Sequence, residues 1–360
     1  MNPNRDPMDL ATLRAAIAAK QTIRDADLSG KDLGAENLHL ARFQGCNLNK
    51  ARFGGLRLEK TGFADCTFQG ADFSGCTFTD MLLRSLDFTG AKLTGTFFLR
   101  CHLSGSIFAG ADFTSAKIHW TFLDKTRCAG AVFRNAQFFK SVGLEADLTR
   151  ADLQDARLER VTLRKAVLDK VNLRGVVFDR VNLSAAKLAG HDFSGQRLRS
   201  VNFMGADLSG ASFKAADIST CVFQGADLSG ALLEGVTARQ CMFAGANLSG
   251  TKARGGDFAQ SFFGEANLIQ ADFRQATLKG ARFEKAKIVA SIFTDADCFN
   301  NDFSHADLSG SDFSRANLFL ACLHGTRQAQ TTFVGANTLH LRGPDPEMAE
   351  AEAFQPPDGD

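Results

Sequence analysis

A large apolar residue stands at nearly every fifth position of this chain from Ile23 to Phe333, and the register never slips. Of those 63 positions, 57 are Leu, Phe or Ile; the exceptions are Cys128, Gly143, Ala238, Ala253, Cys298 and Gln328. A helix repeats about every 3.6 residues and a strand about every 2, so neither alone generates a period of five. A short repeat held this long dictates a solenoid, in which each unit buries its apolar face only by stacking on its neighbours.

The commonest unit reads Ala-Asp/Asn-Leu/Phe-Ser-Gly, as at Ala226-Asp227-Leu228-Ser229-Gly230 and Ala306-Asp307-Leu308-Ser309-Gly310. The central Leu or Phe and the small residue two before it point the same way from an extended backbone. The residues between and beyond them face water, and the Gly, Ser or Asn that follows suits a tight turn. Each pentapeptide is therefore one side and one corner of a coil. Residues that stack should resemble each other, and they do so at a spacing of twenty. Leu148, Leu168, Leu188, Leu208, Leu228, Leu248, Leu268, Ile288 and Leu308 form an aliphatic column, and Phe203, Phe223, Phe243, Phe263, Phe283 and Phe303 an aromatic one. Four pentapeptides per coil and about sixteen coils follow, with an interior filled by side chains and no ligand cavity.

These A-(D/N)-L/F-x-x units resemble the pentapeptide-repeat family, and the likeness covers about 310 of the 360 residues. The resemblance implies an all-β, right-handed quadrilateral β-helix; the handedness comes from the family. No insertion breaks the register between Ile23 and Phe333, so no long loop is expected. Residues 1–22 form an N-terminal segment in which 8–20 read as a short capping helix, with Leu10, Leu13 and Ile17 on one face and Asp6 or Asp9 at its start. The solenoid occupies 23–338. Residues 339–360, with Gly343-Pro344-Asp345-Pro346 and six acidic side chains after position 343, are expected to be a disordered tail. An end-to-end homodimer at the last coil stays open as an alternative.

The chain carries 41 basic and 40 acidic side chains, so no overall field draws it to nucleic acid or an anionic membrane. It has no apolar stretch of membrane-spanning length and no signal-peptide core, which favours the cytoplasm, with signal-independent secretion left open. Six of the nine cysteines (Cys46, Cys66, Cys76, Cys101, Cys221 and Cys241) fall in the small slot two before a centre, as small hydrophobes do. No Cys/His cluster has zinc spacing, no catalytic motif is found and the histidines are scattered, so no enzyme, cofactor or metal is expected.

The informative signal is where outward slots break the polar rule. One corner gathers Phe97, Leu99, Trp120, Phe122, Phe139 and Val142 on neighbouring coils, with Leu82 just before them; Trp120 is the chain's one tryptophan. The same corner continues with Arg157, Arg160, Arg180, Arg197 and Arg199, interleaved with Glu159 and Asp179. An exposed strip of aromatic residues and arginines has the composition of a protein-binding hot spot. The expected function is a non-enzymatic, scaffold-like rod presenting this edge to a protein partner. Two alternatives stand beside it. The resemblance allows a DNA mimic that binds a type II topoisomerase, which residues 1–200, with 29 basic against 21 acidic side chains, disfavour. An adaptor or effector of a bacterial secretion system is the other. Nucleic-acid binding is disfavoured because acids interrupt the arginines and no aromatic platform accompanies them.

Overall fold

The computed structural model describes residues 6–198 and 200–353. Arg199 and the last part of the acidic tail, from residue 354, lie outside the described residues. The chain divides into two compact units, one ending at Lys187 and one beginning at Leu188.

In the first unit the backbone climbs as a parallel ladder with a rung every twenty residues. Asp27, Asn47, Thr67, Asp87, Ile107, Arg127, Asp147, Val167 and Lys187 pair in succession, which marks nine coils. Each rung is bonded both ways: the Thr67 N–H donates to the Cys46 carbonyl at 3.1 Å, and the Thr67 carbonyl accepts from the Leu48 N–H at 2.8 Å. The elements in chain order are β1 (Asp6–Pro7), α1 (Leu10–Ala18), β2 (Thr22–Arg24), β3 (Ala26–Asp27), β4 (Arg42–Gln44), β5 (Arg57–Glu59), β6 (Gly62–Ala64), β7 (Thr77–Thr79), β8 (Phe97–Leu99), β9 (Lys117–His119), β10 (Gln137–Phe139), β11 (Arg157–Glu159) and β12 (Val177–Asp179). β5 and β7 to β12 form one seven-stranded sheet, all of its pairs parallel. The interior is stacked ring on ring: Phe68, Phe88 and Phe108 follow at 4.9 Å, and Phe78 lies 4.6 Å from Phe98.

The capping helix is shorter than the segment 8–20 suggests. Asp9 is its N-cap, accepting from the Thr12 N–H at 2.7 Å, and Leu13 is fully buried. Arg14 reaches Glu36 in the first coil with two hydrogen bonds, of 2.8 and 2.7 Å. The helix thus covers the first coil, whose open end would otherwise be a bare sheet edge.

The second unit repeats the design without strands longer than single bridges among its described residues. Four bridges mark each coil, as Val222–Met242, Asp227–Asn247, Leu232–Lys252 and Thr237–Asp257 do, so the coil has four sides. The rungs from Asp207 to Arg327 mark seven coils. The expected phenylalanine column is present, Phe203 through Phe303 stacking at 4.7 to 5.1 Å. One expectation fails within residues 339–360: Pro346–Ala353 is a helix, α2, whose Glu352 bonds two histidines of the last coils.

Nearly every corner has a residue in the left-handed region two after the centre, such as Gly90 at φ 65° and Trp120 at φ 55°; Ala35 is an exception. The Asp or Asn before the centre is more than a solvent-facing repeat residue. Its carboxylate or amide oxygen accepts the N–H two residues on, as Asp72 does from Ser74 at 2.9 Å, so it builds the turn. All nine cysteines are buried, and burial pushes the Cys101 thiol up to about 11 and Cys128 up to about 12. The interior of the first unit holds one small apolar cavity of about 20 Å³, lined by two of the centres that lack a large side chain, Cys128 and Gly143. That is space for one water-sized sphere and not for a ligand.

Asn301 breaks the pattern of the small slot. It is fully buried, and neither Oδ1 nor Nδ2 has a hydrogen-bond partner among the described residues. An unpaired buried amide costs about 1–3 kcal/mol. Asn301→Ala is therefore expected to stabilise the protein by about 1–2 kcal/mol, read as a higher urea midpoint at unchanged slope.

Candidate interaction face

Two kinds of corner occur in the first unit, and the difference creates its most distinctive surface. At an ordinary corner the N–H three residues after the centre returns to the centre's carbonyl, as Ala91 does to Phe88 at 2.9 Å. Beside the seven-stranded sheet this return bond is not made among the described residues, and at two corners the N–H meets a small-slot hydroxyl of the next coil instead. The Cys101 N–H meets Thr121 Oγ1 at 3.4 Å, and the Thr121 N–H meets Ser141 Oγ at 3.3 Å. On this side the strands are three residues long, and the residue after the centre (Leu99, His119, Phe139) belongs to the strand.

Those residues and their neighbours lie on the outer face of the sheet. Leu99, His119 and Phe139 are paired rung on rung, and Phe97 lies over Lys117. The rings meet edge to face: Phe97 with His119 at 5.2 Å, His119 with Phe139 at 5.7 Å, and Phe139 with Trp120 at 5.9 Å. Around the corner Leu82, His102, Phe122 and Val142 form the next ladder, His102 stacking on Phe122 at 4.7 Å. Lys140 Nζ sits 4.0 Å above the Trp120 ring. Trp120, Phe122 and Leu82 remain 48%, 40% and 62% exposed. All six residues singled out in the sequence are thus on one surface. Packing among themselves covers part of each ring and leaves much of it in solvent.

Charged pairs flank the apolar centre. On the side of lower numbers Arg100 grips Asp80 through two hydrogen bonds, of 2.6 and 2.8 Å, which hold the Asp80 carboxyl below its ordinary range. On the other side Arg157 meets Glu159 at 3.3 Å, and Arg180 chelates Asp179 at 3.0 and 3.1 Å. The expected basic strip is therefore internally neutralised at Arg157 and Arg180. Arg160 contributes to the field that lowers Asp179, after Arg180 and Arg157. Arg197 belongs to the second unit, where its backbone forms a parallel bridge with Asp217.

His119 was not legible as part of this face. Scattered in sequence, it lies between Phe97 and Phe139, and burial there followed by nearby Lys117 pushes its pKa below the ordinary value. A second cluster, in the second unit, also escaped the sequence: His305 and His324 converge on Glu352, at 2.9 and 3.4 Å. Their separation along the chain hides it. Among the described residues no helix is long and apolar enough to cross a membrane.

Comparison with known proteins adds the family. A model described as pentapeptide repeats matches residues 41–80, 82–119, 145–180, 177–214, 221–260, 257–295 and 296–327, more than half of the chain. No curated protein matches it. Among solved structures, it is similar to HetL, a pentapeptide repeat protein involved in heterocyst differentiation regulation in the cyanobacterium Nostoc sp. strain PCC 7120. The identity is 21% over 74% of this chain and 91% of that one, with a TM-score of 0.26. A trypsin-treated form of QnrB1, a plasmid-mediated fluoroquinolone resistance protein, shows 18% identity over 67% and 97%, with a TM-score of 0.26. A pentapeptide repeat protein of the Arabidopsis thaliana thylakoid lumen shows 32% identity over 31% and 68%, with a TM-score of 0.16.

The depressed pKa of His119 gives a sign for the pH response. The fold favours the neutral ring, so this contribution to stability is full above the ordinary value of about 6.5 and is lost as pH falls through the folded value. A proton NMR titration should show His119 protonating below the ordinary histidine range, and His119→Phe should remove that part of the acid destabilisation. A ring that titrates at or above the ordinary value would contradict the burial.

Proposed function

The chain belongs to the pentapeptide-repeat family, and from that premise we propose that it is a non-enzymatic scaffold that docks a protein partner on the outer face of its seven-stranded sheet. One observation carries the reading: partly exposed Phe97 and Phe139 on the outer face of the sheet adjoin half-exposed Trp120 and Phe122 at its corner. Elsewhere on the solenoid the outward slots are mostly polar or charged. Here the inner face is packed by the coil's own core, and what stands on the outer face is Phe97, Leu99, His119 and Phe139, with Trp120, Phe122 and Val142 at the corner. An apolar centre inside a rim of charged pairs is the anatomy of a protein interface.

Preorganisation supports the same reading. The backbone under the face is bonded to the coils above and below, and Thr121 and Ser141 hold the corners, so docking orders little that is loose. Trp120 would be the anchor. It occupies a left-handed corner where most side chains are polar or absent, a conformation that costs an L-residue about 1–2 kcal/mol. The neutralised arginines favour a partner held by apolar contact over one held by charge.

Capture of partners from host lysate at high salt tests this, with wild type against Trp120→Glu/Phe122→Glu. A partner retained by wild type and weakened by at least about 30-fold in the variant is expected for a hot spot of this kind. Equal capture by both forms would sink the reading. A topoisomerase captured only at low salt would replace it with DNA mimicry. Trp120→Gly separates binding from folding: it should lose the partner while thermal stability holds or rises.

A further inference from the structure

In the second unit two imidazoles and a carboxylate converge from three separate stretches of chain. His305 and His324 stand on adjacent coils, the His305 N–H donating to the His324 carbonyl at 2.8 Å, and their rings lie nearly perpendicular at 5.3 Å. From helix α2 the Glu352 carboxylate meets His305 Nε2 at 2.9 Å and His324 Nε2 at 3.4 Å. One donor atom from each residue lies within 4.8 Å of the other two. Gly325 leaves room for the cluster, since a Cβ there would lie 2.5 Å from His305 Nδ1.

An eight-residue helix is marginal by itself, and Pro346, Glu347, Ala349, Glu350, Glu352 and Ala353 of α2 are all exposed. A tie to the coils stronger than a hydrogen bond would therefore count here. The donors available for one are imidazole nitrogen and carboxylate oxygen, the set that zinc takes in sites with three protein ligands. With bonds of about 2.0–2.1 Å, a tetrahedral zinc sets neighbouring donors about 3.3–3.4 Å apart. The two gaps to Glu352, 2.9 and 3.4 Å, are close to that spacing.

We propose that His305, His324 and Glu352 bind a divalent transition-metal ion of the zinc class, which clips α2 to the last coils and keeps a fourth position open to solvent. A neutral imidazole that coordinates through Nε2 carries its proton on Nδ1. Among the described residues no donor is bonded to His305 Nδ1, so that ring coordinates as it stands. His324 is different, because its Nδ1 accepts the Asp345 N–H at 2.9 Å and coordination displaces that bond. The loss weakens binding by about tenfold, the net worth of one hydrogen bond, and metal ligation returns far more. Asp345 lies in an exposed turn, where water can take the displaced amide.

Calorimetric titration of the full, untagged chain with zinc tests the site, and one ion per chain is expected. Cobalt(II) in its place should give the intense visible absorption of a four-coordinate ion, bleached when zinc is added. Glu352→Gln keeps a hydrogen-bond acceptor but is a poor ligand, and its place on an exposed helix leaves the coils folded, which circular dichroism checks. It and His305→Gln should each weaken zinc binding by at least about 100-fold, more than the loss of a contact behind a ligand costs. Absence of saturable zinc binding would overturn the proposal. So would one-to-one binding of unchanged affinity in both variants, which would put the ion elsewhere on the chain.

Discussion

The backbone ladder between coils is the interaction everything else depends on. An N–H on one coil bonds a carbonyl on the next, nineteen or twenty-one residues away, on all four sides. That bonding forces like positions to lie over one another and so turns sequence columns into physical stacks. The phenylalanine column of the second unit stacks because its backbones are already in register, and the rings in turn exclude water from the ladder. Neither would suffice alone, since a parallel pair of three-residue strands has no stability of its own.

The fold was readable because burial writes itself into the sequence with a period. Columns of Leu and Phe at a spacing of twenty gave the number of sides, and the ladder in both units agrees. The outward surface carries no such period, so contacts among outward side chains were much less legible. Trp120 and the five apolar residues around it stand out because apolar side chains are conspicuous in polar slots. His119 is polar by type and does not, although it packs between two of those rings. The arginines at 157 and 180 look like a basic strip because a sequence shows charges and not the acids they reach. Helix α2 is hidden for a related reason: its acidic, proline-flanked composition speaks for disorder, while two histidines from distant repeats hold it.

The difference between the two kinds of side shows how little is needed to change a face. Where the N–H three after the centre does not return to the centre's carbonyl, one more residue per coil belongs to the strand, and the first unit presents a continuous seven-stranded surface. At two of those corners the freed N–H meets a buried hydroxyl, of Thr121 or Ser141.

A chain wound four pentapeptides to the coil keeps its surfaces apart by counting. Losing one pentapeptide from the first unit would leave every buried slot filled, because all four sides use the same rule. Each later residue would nevertheless turn by a quarter, and the ladder through Leu99, His119 and Phe139 would be split between two faces. Gaining or losing twenty residues would do no such harm. Such a molecule can therefore lengthen or shorten by whole coils while its faces stay aligned, and the smallest heritable step that respects its surface is four times the smallest that respects its core.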